Sequence, residues 1–193
     1  WEALAEAQFL NDKFAAQRVD PTLNPVERLL QRRGGFDLLH FAGHGNGETN
    51  NVLGGQLLLQ SGHFDPQQRT FIADALTAGY VAENSKLEAR DGSRPIVVLN
   101  ACQVGRQGYQ LTSIGGFADS FLKRGAGAFV GTLWSVLDHP ARSFTETFYQ
   151  TLLDGKTVSE ATLAAREKAR QAGDATWLAY VVYADPYAKL RLE

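Results

Sequence analysis

The segment Ile96-Val97-Val98-Leu99-Asn100-Ala101-Cys102 decides the fold of this chain. Its first four residues are all β-branched or aliphatic, which is typical of a central strand buried on both faces of a parallel sheet. The strand leads to Cys102, the only cysteine among the 193 residues, which therefore has no disulfide partner within the chain. A thiol at the end of a strand must be explained either by packing or by reactivity.

A second segment, His40-Phe41-Ala42-Gly43-His44-Gly45, follows the same pattern. We expect residues 36–41 to form a short buried strand that leads into a loop rich in glycine and asparagine. Parallel strands present their carboxyl ends at one edge of a sheet, so an imidazole and a thiol would meet there. A thiol is a poor nucleophile until it ionises, and a neighbouring histidine can hold its proton. The two segments therefore predict a cysteine–histidine dyad.

Backbone amides would complete such a site. A carbonyl attacked by a thiolate needs N–H donors aimed at its developing negative charge. Gly45 can bring its amide close to a substrate because it has no side chain, and the amide of Cys102 is a natural second donor. We predict that these two amides form the oxyanion hole.

Composition limits the possible classes of protein. With 44% hydrophobic and 21% charged residues the chain is an ordinary globular domain. A formal net charge of -2 and scattered basic residues argue against direct contact with nucleic acid or a membrane surface. No apolar run approaches the roughly 20 residues that span a bilayer. We expect a soluble protein of the reducing cytoplasm. Because the sequence begins at Trp1 and has no methionine, we expect one domain, residues 1–193, excised from a longer protein.

Strands and helices alternate along the chain, which predicts an α/β fold with a mostly parallel central sheet and helices on both faces. Capping signals mark two of the helices, Asn24 with Glu27 and Thr157 with Glu160. The predicted helices cover residues 1–17, 24–33, 70–78, 113–124, 138–153 and 157–171. The predicted strands cover residues 36–41, 56–60, 96–99, 128–133 and 177–183.

These motifs resemble those of the CHAT domains, which are caspase-like modules related to separases and caspases and commonly attached to tetratricopeptide repeats. The resemblance covers nearly the whole chain and implies a three-layer caspase-like sandwich. Residues 36–45 are similar to the family's histidine motif, and residues 97–102 to its cysteine motif. Further matches are residues 116–122, residues 125–134, Phe148-Tyr149 and Asp185-Pro186.

The resemblance also implies an activity. It implies a cysteine endopeptidase that hydrolyses peptide bonds of a protein substrate through an acyl-thioester, with Cys102 as nucleophile and His44 as general acid and base. It implies no cofactor and no metal, and it suggests tetratricopeptide repeats, or another attached domain or partner, as the regulator. Two departures stand out: the chain starts inside the family's first helix and so lacks the strand before it, and Ala184 replaces a usual glycine.

Substrate selection is expected near Asn100, Trp134 and Asp138. Relatives that resemble metacaspases place an aspartate two residues before the nucleophile, where it favours a basic residue before the cut, whereas this chain has the neutral Asn100. A lysine or arginine buried against an amide would be poorly compensated, so we expect an uncharged or apolar residue there. Trp134 and Asp138 follow the next strand, where the clan builds a pocket wall. Asp138 could instead restore a preference for a basic residue or cap a helix, and Trp134 could pack in the core.

Three alternatives stay open. The domain could be a catalytically silent interaction or scaffolding module that keeps a caspase-like fold, although such modules often lose one member of the dyad. His40 could act as the base, but its place within a strand favours structural hydrogen bonding. A metal site formed by His40, His44, His63 and Cys102 is disfavoured, because the first two histidines lie in a strand and a loop and no carboxylate motif accompanies them.

Overall fold

The computed structural model describes residues 2–46, 52–88, 91–102 and 116–191. Within these residues six strands form one sheet. The strands are β1 (Leu38–Asn46), β2 (Gln56–Asp65), β3 (Thr70–Thr77), β4 (Ile96–Cys102), β5 (Ala128–Thr132) and β6 (Tyr180–Ala184). Their order in the sheet is β3-β2-β1-β4-β5-β6.

The middle of the sheet is parallel and its margins are antiparallel. β4 pairs in parallel with β1 on one side and with β5 on the other. The hairpin of β2 and β3 adds to β1 in the antiparallel sense, and β6 adds to β5 in the same sense. The predicted mostly parallel central sheet is therefore confirmed.

Helices cover both faces, which gives the three-layer sandwich. The helices are α1 (Glu2–Phe14), α2 (Leu23–Gln31), α3 (Ala78–Asn84), α4 (Phe117–Lys123), α5 (Asp138–Leu153), α6 (Val158–Arg170) and α7 (Thr176–Ala179). One hydrophobic cluster joins α2, α3 and α4 to the first face of the sheet. A second cluster joins α1, α5 and α6 to the other face.

The burial of β4 on both faces explains its uninterrupted apolar sequence. Val97 and Leu99 belong to the cluster under α2, α3 and α4. Val98, between them, belongs to the cluster under α1, α5 and α6. Successive residues of a strand point to opposite faces, so a strand between two helical layers needs apolar side chains at every position.

β1 is longer than predicted. We expected the strand to end at Phe41 and a loop to begin at Gly43, but the parallel pairing with β4 continues through His44. The backbone of this glycine-rich segment finds its hydrogen-bond partners in the neighbouring strands, and this pairing outweighs the low strand propensity of glycine. The consequence is that His44 lies within a regular sheet strand.

The predicted helix at residues 70–78 is wrong, because residues 70–77 form β3. The Asp65 carboxylate ends β2 by accepting the backbone N–H groups of Gln67 and Gln68 at 2.7 and 3.2 Å. Arg69 then adopts a left-handed conformation with a φ of 52°. This tight turn returns the chain antiparallel to β2, and the pairing overrides the apolar spacing that favoured a helix.

Two helix starts and one strand start also differ from prediction. The N-cap of α2 is Thr22, so Asn24 lies inside the helix and makes no capping box. α5 follows Leu137, which places Asp138 in its first turn, where a carboxylate interacts favourably with the helix dipole. α7 occupies the start of the last predicted strand, and β6 begins only at Tyr180. The predicted helix start near residue 113 lies outside the described residues.

The capping box of α6 is confirmed. The Thr157 hydroxyl accepts the backbone N–H of Glu160 at 3.3 Å, and the Glu160 carboxylate accepts the backbone N–H of Thr157 at 2.9 Å. Hydrogen bonds from the Thr157 amide and hydroxyl lower the pKa of the Glu160 carboxyl group, because they favour its ionised form.

The substitution Thr157→Ala should lower the free energy of unfolding by about 1 kcal/mol, because it leaves an orphan N–H at the start of α6. Urea denaturation measures the effect. Thr162→Ala is the matched control, since the Thr162 hydroxyl donates to the carbonyl of Val158 within the same helix and caps nothing. If the two variants lose the same stability, the cap does not contribute as argued.

Candidate active site

The two predicted reacting groups lie at the carboxyl ends of neighbouring strands. β1 and β4 are parallel and in register, and the last pair of residues joins His44 to Cys102. Neighbouring strands are about 4.8 Å apart. The backbone positions of the two residues are therefore adjacent, although they are far apart in the sequence. This edge of a parallel sheet is where α/β proteins usually place their sites.

The first glycine of the histidine motif is explained by packing. A Cβ atom at Gly43 would lie 3.1 Å from the ring of Phe41. The same arrangement occurs in β5, where a Cβ atom at Gly131 would lie 2.9 Å from the ring of Phe129. Both rings pack in the cluster under α2, α3 and α4. Glycine at these positions lets an aromatic ring lie against the backbone two residues further along its own strand.

The two histidines of β1 have different environments. His44 is exposed and lies two residues before the end of β1. The side chain of His40 is only 7% exposed, and both of its ring nitrogens have protein partners. Its Nδ1 lies 3.0 Å from the Tyr149 hydroxyl, and its Nε2 lies 2.9 Å from Glu6 Oε2. His40 therefore has the structural hydrogen bonds expected of it.

Asn100 belongs to the same buried network. Its Nδ2 donates to Glu6 Oε1 at 2.6 Å, and its Oδ1 accepts the Tyr180 hydroxyl at 2.8 Å. Thr145 of α5 also donates to Glu6 Oε1, at 3.3 Å. The side chain of Asn100 therefore has two partners within the protein, and its predicted contact with a substrate stays a prediction.

Burial keeps one donor of this network neutral. Burial raises the pKa of the Tyr149 hydroxyl well above its ordinary value, and the nearby charge of Glu6 raises it further. Tyr149 therefore retains its proton and can donate it to His40 Nδ1. The His40 tautomer with its proton on Nε2 can accept from Tyr149 and donate to Glu6, which satisfies both contacts.

Thr132 supports the end of β4 from the neighbouring strand. Its hydroxyl donates to the carbonyl of Ala101 at 2.7 Å, and the residue is 1% exposed. Ala101 directly precedes Cys102, so this bond fixes the backbone at the predicted nucleophile.

The remaining predicted site residues lie around this edge. Gly45 follows His44 in β1 and is the register partner of Leu57 in β2. Trp134 and Asp138 follow β5, and both are exposed, with Trp134 at 37%. Trp134 is thus not a core residue.

The alternative metal site also requires His63, which does not join His40 and His44 in a metal-binding group in the described part of the chain. His63 lies in β2 opposite Ile72, within the hairpin. Among the described residues, no group of three or more histidine, cysteine, aspartate or glutamate side chains could hold a metal ion. No helix in those same ranges is both long and apolar enough to cross a membrane.

No sequence motif marks Glu6 or Tyr180. They act through contacts that join distant parts of the chain, and such contacts leave no local pattern. Thr132 and Tyr149 do lie in matches to the family, at residues 125–134 and at Phe148-Tyr149. Helical periodicity places Tyr149 on the buried face of α5 but does not reveal its partner.

Comparisons with known proteins agree with the fold. A model of the CHAT domain matches residues 2–187. A solved structure titled "Crystal structure of the Arg specific cysteine proteinase gingipain R (RGPB)" superposes with a TM-score of 0.57 at 16% identity, over 98% of this chain and 42% of that one. A structure titled "Structure of Protease" gives 0.54 at 15% identity, over 88% of this chain and 38% of that one. The chain thus spans about two fifths of either neighbour. The curated proteins gave no significant match.

The substitution Thr132→Val should lower the free energy of unfolding by about 1–3 kcal/mol, because it leaves the buried carbonyl of Ala101 without its partner. Chemical denaturation measures this loss. Thr132→Ser keeps the hydroxyl and is the control, with a smaller loss expected from the missing methyl group. A valine variant as stable as the serine variant would show that the bond contributes nothing.

Proposed function

Because the chain belongs to the CHAT-domain family, we propose that it is a cysteine endopeptidase that hydrolyses peptide bonds of a protein substrate with Cys102 and His44. The register pair at the ends of β1 and β4 carries this proposal. Register partners on neighbouring strands direct their Cβ atoms to the same side of a sheet. An imidazole and a thiol at such positions can share a proton.

The proposed reaction needs only these two groups and water. His44 takes the proton of the Cys102 thiol, and the thiolate sulfur attacks the carbonyl carbon of the peptide. The tetrahedral intermediate collapses when His44 gives its proton to the departing amine, which leaves an acyl-thioester on Cys102. Water, deprotonated by His44, then attacks the thioester and releases the new carboxyl terminus and the free thiol. No cofactor takes part in this sequence.

Backbone amides are proposed to stabilise the oxyanion in both steps. Gly45 and Cys102 occupy neighbouring positions on the two strands, directly at the reacting pair. Removing one oxyanion donor typically costs about 3 kcal/mol of transition-state stabilisation. The hydrogen bond from Thr132 to the Ala101 carbonyl supports this assignment, because that carbonyl and the Cys102 N–H belong to the same planar peptide unit.

The environments of the two histidines support His44 as the base. His44 is exposed at the edge of the sheet, where a substrate can approach. His40 is buried, and its two nitrogens are occupied by Glu6 and Tyr149. A general base must reach the proton that it removes, so the buried imidazole is the weaker candidate.

Several further assignments belong to this proposal. We propose that Asn100, Trp134 and Asp138 contribute to substrate selection and that an attached domain or partner, such as tetratricopeptide repeats, controls the activity. We also propose that the chain works in the cytoplasm without direct contact with nucleic acid or membrane. The gingipain neighbour is named as an arginine-specific proteinase, but at 16% identity the likeness of this chain to it concerns the fold.

The substitution His44→Ala should lower kcat/KM for a peptide substrate by about 10²-fold or more, because general acid–base catalysis contributes that much. Cys102→Ala should abolish both hydrolysis and covalent labelling by a thiol-reactive peptide. His63→Ala is the matched control, since His63 is an exposed histidine outside the proposed site, and it should leave the rate unchanged. A folded wild-type chain that neither cleaves peptides nor labels faster than its unfolded form would favour the catalytically silent interaction module.

A series of peptides that vary only at the residue before the cut tests the specificity. We expect uncharged or apolar residues to be cleaved faster than lysine or arginine, because Asn100 supplies no negative charge. The measured quantity is kcat/KM for each peptide. Strong selection for arginine would contradict this expectation and would point to Asp138, in which case Asp138→Asn should remove the selection.

A further inference from the structure

We infer that Glu6 of α1 is a positioning residue that holds the ends of β1 and β4 at the spacing the dyad needs. This inference rests on the proposed function. It adds a residue from a separate helix to the machinery of the site. The residue does not touch the reacting atoms, and it acts through His40 and Asn100.

The Glu6 carboxylate binds both strands at once. Its Oε2 accepts from His40 of β1 at 2.9 Å, and its Oε1 accepts from Asn100 of β4 at 2.6 Å. The side chain of Glu6 is 5% exposed. One rigid, planar group therefore bonds to both strands, with little water to compete for its oxygens. We call this arrangement of Glu6, His40 and Asn100 the clamp.

The position of this clamp along the sheet is what connects it to the site. In the register of β1 and β4, Ala42 pairs with Asn100, and His44 pairs with Cys102 two residues nearer the carboxyl edge. His40 lies two residues further from that edge than Ala42. Glu6 thus binds β1 four residues before His44 and β4 two residues before Cys102.

Other side chains hold the clamp in one orientation. The Tyr149 hydroxyl lies against His40 Nδ1, and the Tyr180 hydroxyl donates to Asn100 Oδ1. The Thr145 hydroxyl contacts the same carboxylate oxygen as Asn100. Tyr149 and Tyr180 are both buried, at 1% and 0% exposure. A purely apolar contact would hold α1 on the sheet equally well, but it would not fix the directions of both strands through hydrogen bonds.

Other contacts also attach α1 to the domain. Substitutions at those contacts can distinguish a positioning role of Glu6 from simple attachment of the helix. Glu2, one turn before Glu6, accepts a hydrogen bond from Arg142 of α5 at 3.0 Å and does not reach the strands. Leu10, one turn after Glu6, is 6% exposed and packs in the cluster under α1, α5 and α6. Substitutions at these two positions loosen α1 without breaking the clamp.

The experiment compares Glu6→Ala, Glu6→Gln, Glu2→Ala and Leu10→Ala for peptide hydrolysis, with thermal unfolding measured in parallel. Glu6→Ala should lower kcat by about 10–100-fold with little change in KM, since a misplacement of about 1 Å can cost 10²-fold. Glu6→Gln should restore most of kcat. Its amide can donate to His40 Nε2 once the proton of His40 moves to Nδ1, and its oxygen still accepts from Asn100.

The controls make the inference falsifiable. Glu2→Ala and Leu10→Ala should keep kcat, even where their unfolding temperatures fall as far as that of Glu6→Ala. If kcat instead follows the unfolding temperature through all four variants, Glu6 is an ordinary structural residue. If Glu6→Ala does not fold, Tyr180→Phe tests the same point, because it removes one hydroxyl from the network and keeps the ring that stacks on Phe144. An unchanged kcat in that variant would overturn the inference.

Failure of the inference and failure of the proposed function give different results. An active wild-type chain with an equally active, folded Glu6→Ala variant overturns the inference alone. A wild-type chain without hydrolysis or labelling at Cys102 overturns both.

Discussion

The parallel pairing of β1 with β4 is the constraint on which the rest of the molecule depends. It runs from Leu38 opposite Ile96 to His44 opposite Cys102 without a shift in register. Both strands occupy the middle of the sheet, so hydrophobic clusters cover them from either side. The core that makes the strands pair also decides which two side-chain positions meet at the edge. The stability of the sheet and the proposed chemistry therefore both depend on the pairing of β1 with β4.

The two faces of this strand pair serve different purposes. On one face, Phe41 and Leu99 pack with α2, α3 and α4 in an apolar cluster. On the other face, His40 and Asn100 bind Glu6 within a layer that is otherwise apolar. Buried polar groups cost free energy unless they are hydrogen-bonded, and these groups have partners. His44 lies on this same face of β1, four residues beyond His40 toward the carboxyl edge of the sheet.

Local patterns predict five of the six strands in the described sheet, but they do not predict the buried network around Glu6. The apolar run before Cys102 and the capping box at Thr157 are properties of neighbouring residues, and the structure contains both. β3 was missed because its conformation depends on pairing with β2. The contacts of Glu6 join α1 to two strands and to α5, and no spacing in the sequence encodes that meeting. From the sequence alone, a glutamate in the middle of a helix is expected to be exposed to solvent, because unpaired glutamate is rarely buried.

The buried network also explains why the register is unique. A slip of one residue between paired strands would move every side chain of one strand to the opposite face. Such a slip in β1 would take His40 away from Glu6 and leave a buried carboxylate without one of its donors, which costs at least about 1–3 kcal/mol. Apolar packing alone would penalise the slip less, since Leu38 and Leu39 are both aliphatic and could exchange faces. The polar network therefore distinguishes the one register that sets His44 opposite Cys102.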